Sequence, residues 1–304
     1  DVVVREKRRA KEDLDVRKTT RIPSWVLAIA GITAVLVSLG CGDDSTKPNP
    51  FDPPGNLKAI NGDLSVALTW NASPQAGGVD FKQYNVYRGT SSLLALSAAE
   101  LASRKIGTVT EGVHSYTDHF SANGIRYYYH ARSEKNDGSL SSASIEITGA
   151  GRAEGTGKII EEFVSSGDSG FDFSTGETVA LSGSNPNRFN NTDIYLGTTA
   201  ENDTATAPLA LKSPELLARL GNSEWLSKDA DVKQIGTDFD VATTEAPGAG
   251  WANVQNVTEG NVYAIKTPSG NYVKMKILDI EGVAGVRKIT FKYAYQPTAG
   301  LVLF

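Results

Sequence analysis

Short segments in which apolar and polar residues alternate follow one another along most of this chain, with turn residues between them. Successive side chains of a strand point to opposite faces, so this alternation indicates strands that bury one face in a core. In the first half the predicted strands are centred on residues 66–70, 84–87, 125–132 and 144–147. Residues 136–138, Asn-Asp-Gly, favour a hairpin turn because these residues tolerate a positive φ. The pattern predicts an antiparallel β-sandwich over residues 56–148.

Six segments of this half share their order with a known family. They are residues 54–57, 66–70, 84–89, 115–118, 124–129 and 136–139. Together they resemble a fibronectin type III domain, with expected bounds of 55–149. The resemblance implies that Trp70 is the buried core tryptophan and that a tyrosine within 127–129 braces a corner of the sandwich. Residues 90–105 are longer and more helix-like than the family pattern, which predicts an inserted helical loop.

A second β domain is predicted after a glycine-rich joint. Four glycines fall within residues 149–157, which predicts a flexible linker at 150–157 and a domain at 158–304. Its predicted strands are residues 158–164, 178–181, 193–196, 262–267, 272–279 and 288–295. One helix is predicted from Ser213 as N-cap, through Pro214 in its first turn, to Gly221. The expected fold class is mainly β: a fibronectin type III β-sandwich followed by an antiparallel β-rich domain with one or two short helices.

Five segments of the second half have a resemblance of their own. They are residues 170–176, 192–195, 262–267, 272–277 and 289–296. In this order they resemble the HmuY-like haem-binding lipoproteins of the bacterial surface, and the resemblance implies haem as a candidate cofactor. Members of that family hold the haem iron between two histidines, whereas residues 158–304 contain none. Met275 is the remaining candidate for an axial ligand. The fold is therefore expected to carry over without its activity.

The N-terminal region has the order of a secretory signal. Basic residues at 17–21 precede an uncharged run at 25–40, which ends at the single cysteine, Cys41. A helix that spans a bilayer needs about 20 apolar residues, so this run is short for a permanent anchor. An uncleaved anchor and a buried core helix are the alternatives. A cysteine that carries lipid takes no part in disulfides, thiolate catalysis or metal binding.

Residues 37–41 resemble the lipobox of bacterial lipoproteins, although serine and leucine stand in exchanged positions. The resemblance implies a signal peptide within 1–40, a lipid on Cys41 and a polar, proline-broken tether at 41–54. The expected partner is then a lipid membrane. Gly42 after the cysteine implies the outer membrane of a double-membrane bacterium.

The charge of the chain excludes one class of partner. The first 24 residues hold eight Lys and Arg against five Asp and Glu, so the remainder is more acidic than the total of −5 indicates. Nucleic-acid binding requires clustered basic residues, and the later segments supply no such patch. We therefore expect no nucleic-acid partner.

Catalytic and metal motifs are weak. Residues 167–170, Gly-Asp-Ser-Gly, match the surroundings of a protease nucleophile, but His114, His119 and His130 all lie in the other predicted domain, so no triad is expected. The same histidines are a weak candidate for a zinc or haem site. The acidic stretch 229–240 begins like a calcium loop but has a lysine where an oxygen ligand is needed. We expect no enzyme and no metal.

Aromatic residues of the second domain are the candidates for a binding surface, since Trp and Tyr concentrate at interfaces. The ligand-binding candidates are Trp225, Trp251, Tyr263 and Tyr293. The alternative for these side chains is core packing. The sequence predicts a membrane-anchored surface lipoprotein with a non-catalytic binding role and an unknown surface ligand or protein partner. The alternative is a structural or adhesion module that contacts proteins or glycans.

Overall fold

The first seven strands build a sandwich of two antiparallel sheets. A computed structural model describes residues 51–120, 122–182, 187–242 and 248–304. The strands are β1 (Gly55–Gly62), β2 (Ser65–Asn71), β3 (Phe81–Gly89), β4 (Lys105–Thr110), β5 (Ser115–His119), β6 (Arg126–Lys135) and β7 (Ile147–Ala150). One sheet has the order β1-β2-β5 and the other β4-β3-β6-β7. This three-on-four arrangement confirms the predicted fibronectin type III β-sandwich.

The core of this sandwich contains the residues that the alternation predicted. Val66 and Leu68 are fully buried, and Trp70 packs edge-on against Tyr84 with ring centroids 5.6 Å apart. Tyr129 is also buried, and its hydroxyl donates to a carboxylate oxygen of Asp118 at 2.9 Å. Trp70 is therefore the buried core tryptophan that the resemblance implied.

The last strand of the sandwich lies later than predicted. The expected strand at 144–147 is irregular up to Glu146, and β7 begins at Ile147. The cause is local, because serine hydroxyls take the place of a regular strand ladder beside β6. The Ser141 hydroxyl accepts from the Ser133 amide at 2.9 Å, and the Ser144 hydroxyl accepts from the Ala131 amide at 3.0 Å.

The second part of the chain is a sandwich of two five-stranded antiparallel sheets. Its strands are β8 (Ala153–Glu161), β9 (Gly170–Asp172), β10 (Glu177–Val179), β11 (Ile194–Thr198), β12 (Leu209–Lys212), β13 (Asp231–Gly236), β14 (Val254–Asn256), β15 (Val262–Lys266), β16 (Tyr272–Glu281) and β17 (Lys288–Gln296). The sheet orders are β10-β9-β11-β12-β14 and β13-β15-β16-β17-β8. One buried apolar cluster, which includes Phe171, Leu211 and Met275, fills the space between them. The mainly β fold class is confirmed.

Helical structure in the described residues is short. The helix α1 (Ala98–Ala102) lies in the predicted insertion, while the remaining two segments are 3-10 helices at Pro214–Leu220 and Ser223–Ser227. Gly221 ends the first of these with a φ of 91°, as the sequence predicts. Ser213 makes no side-chain cap; its hydroxyl instead accepts from the Ala230 amide at 2.8 Å.

The glycine-rich stretch is not a flexible joint. Of the predicted linker 150–157, residues from Ala153 onward belong to β8, which pairs with β17. A side chain at Gly155 would collide with the ring of Tyr293, and one at Gly151 would collide with the ring of Phe120. These glycines permit close packing rather than chain flexibility, and the two sandwiches belong to one compact unit.

The membrane-related predictions concern residues that the structure does not describe. Cys41, the signal peptide and most of the tether lie outside the described residues. Among the described helices, none has the length and apolar character required to cross a bilayer.

Candidate functional site

A groove of about 610 Å³ runs along the outer face of the four-stranded sheet, within the size range of ligand sites. We call it the sheet groove. Its lining is contributed by β3, β4, β6, the insertion and the turn after β6, and consists of Asn85, Tyr87, Leu96, Ala98, Leu101, Ala102, Lys105, Arg132, Glu134, Gly138 and Leu140. Its walls are mostly aliphatic and its floor is polar.

The insertion between β3 and β4 forms one wall of the sheet groove. Its helix α1 begins with a capping box, in which Ser97 accepts from the Glu100 amide and the Glu100 carboxylate accepts from the Ser97 amide at 2.9 Å. Leu93 and Leu101 are buried against Tyr87. The Leu93 amide also donates to the Glu146 carboxylate at 2.7 Å, so the insertion is fixed to the sheet at both an apolar and a polar contact.

The floor of the groove is set by the pairing of β3 with β6. The register places Asn85 opposite Arg132 and Gln83 next to Glu134. The Glu134 carboxylate accepts hydrogen bonds of 2.7 Å from Lys82, Gln83 and Asn85. Burial opposes ionisation, but these bonds outweigh it and lower the pKa of Glu134 to about 2. The carboxylate on the floor is therefore ionised at neutral pH and already accepts three hydrogen bonds.

Arg132, unlike Glu134, is not fully paired or hydrogen-bonded. Its Nη1 donates to the Ser141 carbonyl at 3.1 Å, while its Nε is buried and has no hydrogen-bond partner. Within the described part of the chain, its guanidinium forms no ion pair, the nearest salt bridge on the floor being Lys82 with Glu134. The groove therefore offers an unneutralised, half-buried cation.

His130 lies beside Arg132 beneath the insertion. Its ring is fully buried, and neither ring nitrogen has a hydrogen-bond partner. Burial, assisted by the positive charge of Arg132, lowers the pKa of His130 to about 4, so the imidazole is neutral at neutral pH. His114 and His119 flank or end β5 in the other sheet, and the described residues contain no group of three or more potential ligands that could hold a metal ion.

The predicted binding aromatics are divided among separate environments. Tyr263 and Tyr293 are buried in the core between the two C-terminal sheets, where Tyr293 packs edge-on against Phe171 and Phe173. Trp225 is buried in a second cluster against the ring of Phe189, 4.7 Å away. Trp225 and Tyr263 therefore contribute to packing, while Tyr293 also lines a pocket of about 270 Å³ with Phe239 and Lys292.

The remaining candidates are equally dispersed. Trp251 is half-buried, and its indole nitrogen is buried without a partner. Met275 is fully buried in the core cluster. Asp238 accepts from the Asp240 amide at 2.9 Å, which closes a tight turn in the acidic stretch.

A buried charge cluster in the second sandwich was not predicted from the sequence. Asp203 is fully buried and accepts from the Lys212 ammonium at 2.9 Å, the Tyr195 hydroxyl at 3.2 Å, the Thr198 amide at 2.7 Å and the Arg219 guanidinium. Burial, together with the Asp203 carboxylate, raises the pKa of Tyr195. The cluster ties the loop between β11 and β12 to the first 3-10 helix.

Comparison with known proteins relates part of the chain to carbohydrate-active enzymes. No protein-family model matches the chain. It is 32% identical over 125 residues to Exoglucanase B of Cellulomonas fimi, a stretch that covers 41% of this chain and 10% of that enzyme. It is also 32% identical over 114 residues to Amylopullulanase of Thermoanaerobacter thermohydrosulfuricus, covering 38% of this chain and 7% of that enzyme. The chain therefore spans at most a tenth of the length of these curated relatives.

Solved structures give a similar partial match. An Fn3-like protein from Clostridium thermocellum is 30% identical, with a TM-score of 0.26, and the match covers 33% of this chain and 91% of that protein. A β-1,2-glucanase from Parabacteroides distasonis is 16% identical, with a TM-score of 0.27 and coverage of 34% and 13%.

Proposed function

We propose that this chain is a non-catalytic surface module that binds a polysaccharide in the sheet groove. The observation that carries the proposal is the groove floor, where the carboxylate of Glu134 is held ionised by Lys82, Gln83 and Asn85. With a pKa of about 2 it has no proton to donate at neutral pH, so it cannot act as a general acid in glycoside hydrolysis. The groove therefore has the size of a ligand site, and the carboxylate that lines it is not a general acid.

The relatives support the choice of a polysaccharide. Both curated relatives are named as enzymes that act on polysaccharides, and the shared stretch is a small fraction of each. A short shared stretch in two such enzymes is typical of an accessory module, which in this chain is the fibronectin type III-like sandwich. A structural or adhesion role at the cell surface is compatible with the same groove.

Attachment to the cell surface is the second part of the proposal. Cys41 would carry the lipid, and residues 41–54 would hold the folded domains away from an outer membrane. Acyl chains contribute about 0.8 kcal/mol per buried methylene, so several chains on one cysteine give stable anchoring. Metabolic labelling with an alkyne fatty acid tests this, because the label should appear on the wild type and disappear in Cys41→Ala. Equal labelling of both proteins would contradict the lipidation proposal.

Haem is not part of the proposed function. The HmuY-like resemblance suggests a fold for residues 158–304, but this region has no histidine and buries Met275 in its core. We expect no Soret shift when the full chain is titrated with micromolar haem; a shift would show that it binds haem.

Affinity electrophoresis tests the polysaccharide proposal. The full chain would be run in gels that contain a soluble α-glucan, a soluble β-glucan or polygalacturonate, with bovine serum albumin as an unretarded reference. We expect retardation in at least one gel, and no release of reducing ends when the chain is incubated with that polysaccharide. Migration unchanged in all three gels, or steady release of reducing ends, would contradict the proposal.

A further inference from the structure

The charges around the sheet groove do not balance. Three cations, Lys82, Lys105 and Arg132, lie on or next to its floor, where Glu134 is the carboxylate. Lys82 forms a salt bridge of 2.7 Å with Glu134 and so neutralises it. Lys105 and Arg132 remain without an ion-pair partner among the described residues. Among the residues that line the groove, two cations therefore accompany one carboxylate that is already paired with Lys82, so the lining itself is net positive.

The unused hydrogen-bonding groups on the floor are mainly donors. Glu134 and Asn85 already use their groups on each other and on Gln83, with bonds of 2.7 Å and 3.3 Å. Arg132, in contrast, keeps a buried Nε without a partner and one engaged Nη1. A guanidinium presents its N–H groups as a planar fork that matches the two oxygens of a carboxylate. Because Nε is buried, a ligand in the groove would meet the outer, Nη edge of Arg132, which still has donor capacity for an anionic acceptor.

We infer that the sheet groove selects saccharides that carry a carboxylate, such as uronic acid units, with Arg132 as the carboxylate anchor and Lys105 as a second cation. The inference rests on the proposed function and specifies its ligand class. The aliphatic walls, among them Leu96 and Leu140, would contact the C–H faces of the sugar ring, while the charged floor would hold its carboxylate. The walls and the floor together fit an amphipathic, acidic sugar better than a neutral one.

Isothermal titration calorimetry of the full chain with tetragalacturonate and with its methyl ester isolates the contribution of the carboxylates. The ester keeps the ring and removes the negative charge. We expect the acid to bind at least about tenfold more tightly than the ester, as for a charge-assisted hydrogen bond. Affinity for the acid should also fall as salt concentration rises.

Variants on the same strand test the role of Arg132. Arg132→Gln should lower the affinity for the acid about tenfold and leave the affinity for the ester nearly unchanged. Arg126→Gln is the matched control, because Arg126 is exposed on β6 outside the groove lining, and it should bind as the wild type does. If Arg132→Gln fails to fold in a thermal melt, Lys105→Gln replaces it, since Lys105 is exposed and should lower the affinity for the acid as well.

The outcomes separate this inference from the proposed function. Equal affinity for acid and ester would overturn the inference and leave polysaccharide binding intact. Binding of a neutral glucan without binding of the acid would overturn it in the same way. Binding of tetraglutamate, an acidic peptide, with no binding of any saccharide would overturn both proposals.

Discussion

The ring of His130 packs edge-on against the ring of Tyr87, with centroids 5.1 Å apart and an interplanar angle of 72°. The two residues are paired across β3 and β6, and Leu93 and Leu101 of the insertion cover Tyr87 from outside. This contact lies beneath the insertion, and Tyr87 also lines the sheet groove. It places a neutral, fully buried imidazole next to the half-buried cation of Arg132.

Burial of His130 predicts an acid-sensitive fold. Its pKa falls from the ordinary 6.5 to about 4 in the folded state, so the unfolded chain takes up a proton that the folded chain does not. The contribution of neutral His130 to the free energy of unfolding is therefore fully present above about pH 6.5, and it is lost as the pH falls toward 4. Urea unfolding at pH values from 7 to 4.5 should show a weaker pH dependence in His130→Leu than in the wild type. His119→Leu, at an exposed site, should follow the wild type; parallel profiles for all three proteins would contradict the account.

The Asp203 cluster predicts a large effect of one carboxylate. Asp203→Ala would leave Lys212 and Arg219 near each other without their shared carboxylate. Breaking a buried pair in this way costs about 3–5 kcal/mol, and we expect a decrease of that size in the free energy of unfolding. Asp229→Ala, at an exposed site, is the control and should change it by less than about 0.5 kcal/mol. A loss below about 1 kcal/mol for Asp203→Ala would show that the cluster is not structural.

At Gly155, in the stretch that joins the two sandwiches, the structure leaves no room for a side chain. A Cβ at position 155 would overlap the ring of Tyr293, which is itself held in the core. Gly155→Ala should therefore lower the midpoint of thermal unfolding, whereas Gly248→Ala, where no atom lies within 4 Å of the added Cβ, should not. Amide hydrogen exchange should also find the β8 amides protected. Rapid exchange throughout 153–157 would restore the flexible joint that the composition predicted.

The faces of the strands were predictable because alternation reports burial directly. Alternation over residues 66–70 puts Val66, Leu68 and Trp70 on one face of a strand, and all three are buried. The role of Gly155 was not predictable in this way, because it depends on a ring from a strand far along the chain. Glycine composition alone cannot distinguish a flexible joint from a close contact.

Binding sites are also hard to predict from sequence, as the aromatic residues and the groove show. Trp225 and Tyr263 have residue types common at interfaces, but only packing decides whether such rings face a ligand or a core, and here they are buried. The sheet groove depends on the register that sets Asn85 opposite Arg132 and on an insertion that covers Tyr87. The unusual length of residues 90–105 was the one sequence signal that pointed toward it.

Filling the sheet groove is the most direct test of the central claim. Ala102 lines the groove and Ala99 lies on the same helix outside the lining, and both are exposed, so Ala102→Trp and Ala99→Trp form a matched pair. Their binding would be measured by calorimetry with the polysaccharide that retards the wild type in affinity electrophoresis. We predict that Ala102→Trp reduces affinity at least about tenfold, while Ala99→Trp binds as the wild type does. Wild-type affinity in Ala102→Trp would contradict the assignment of the sheet groove as the binding site.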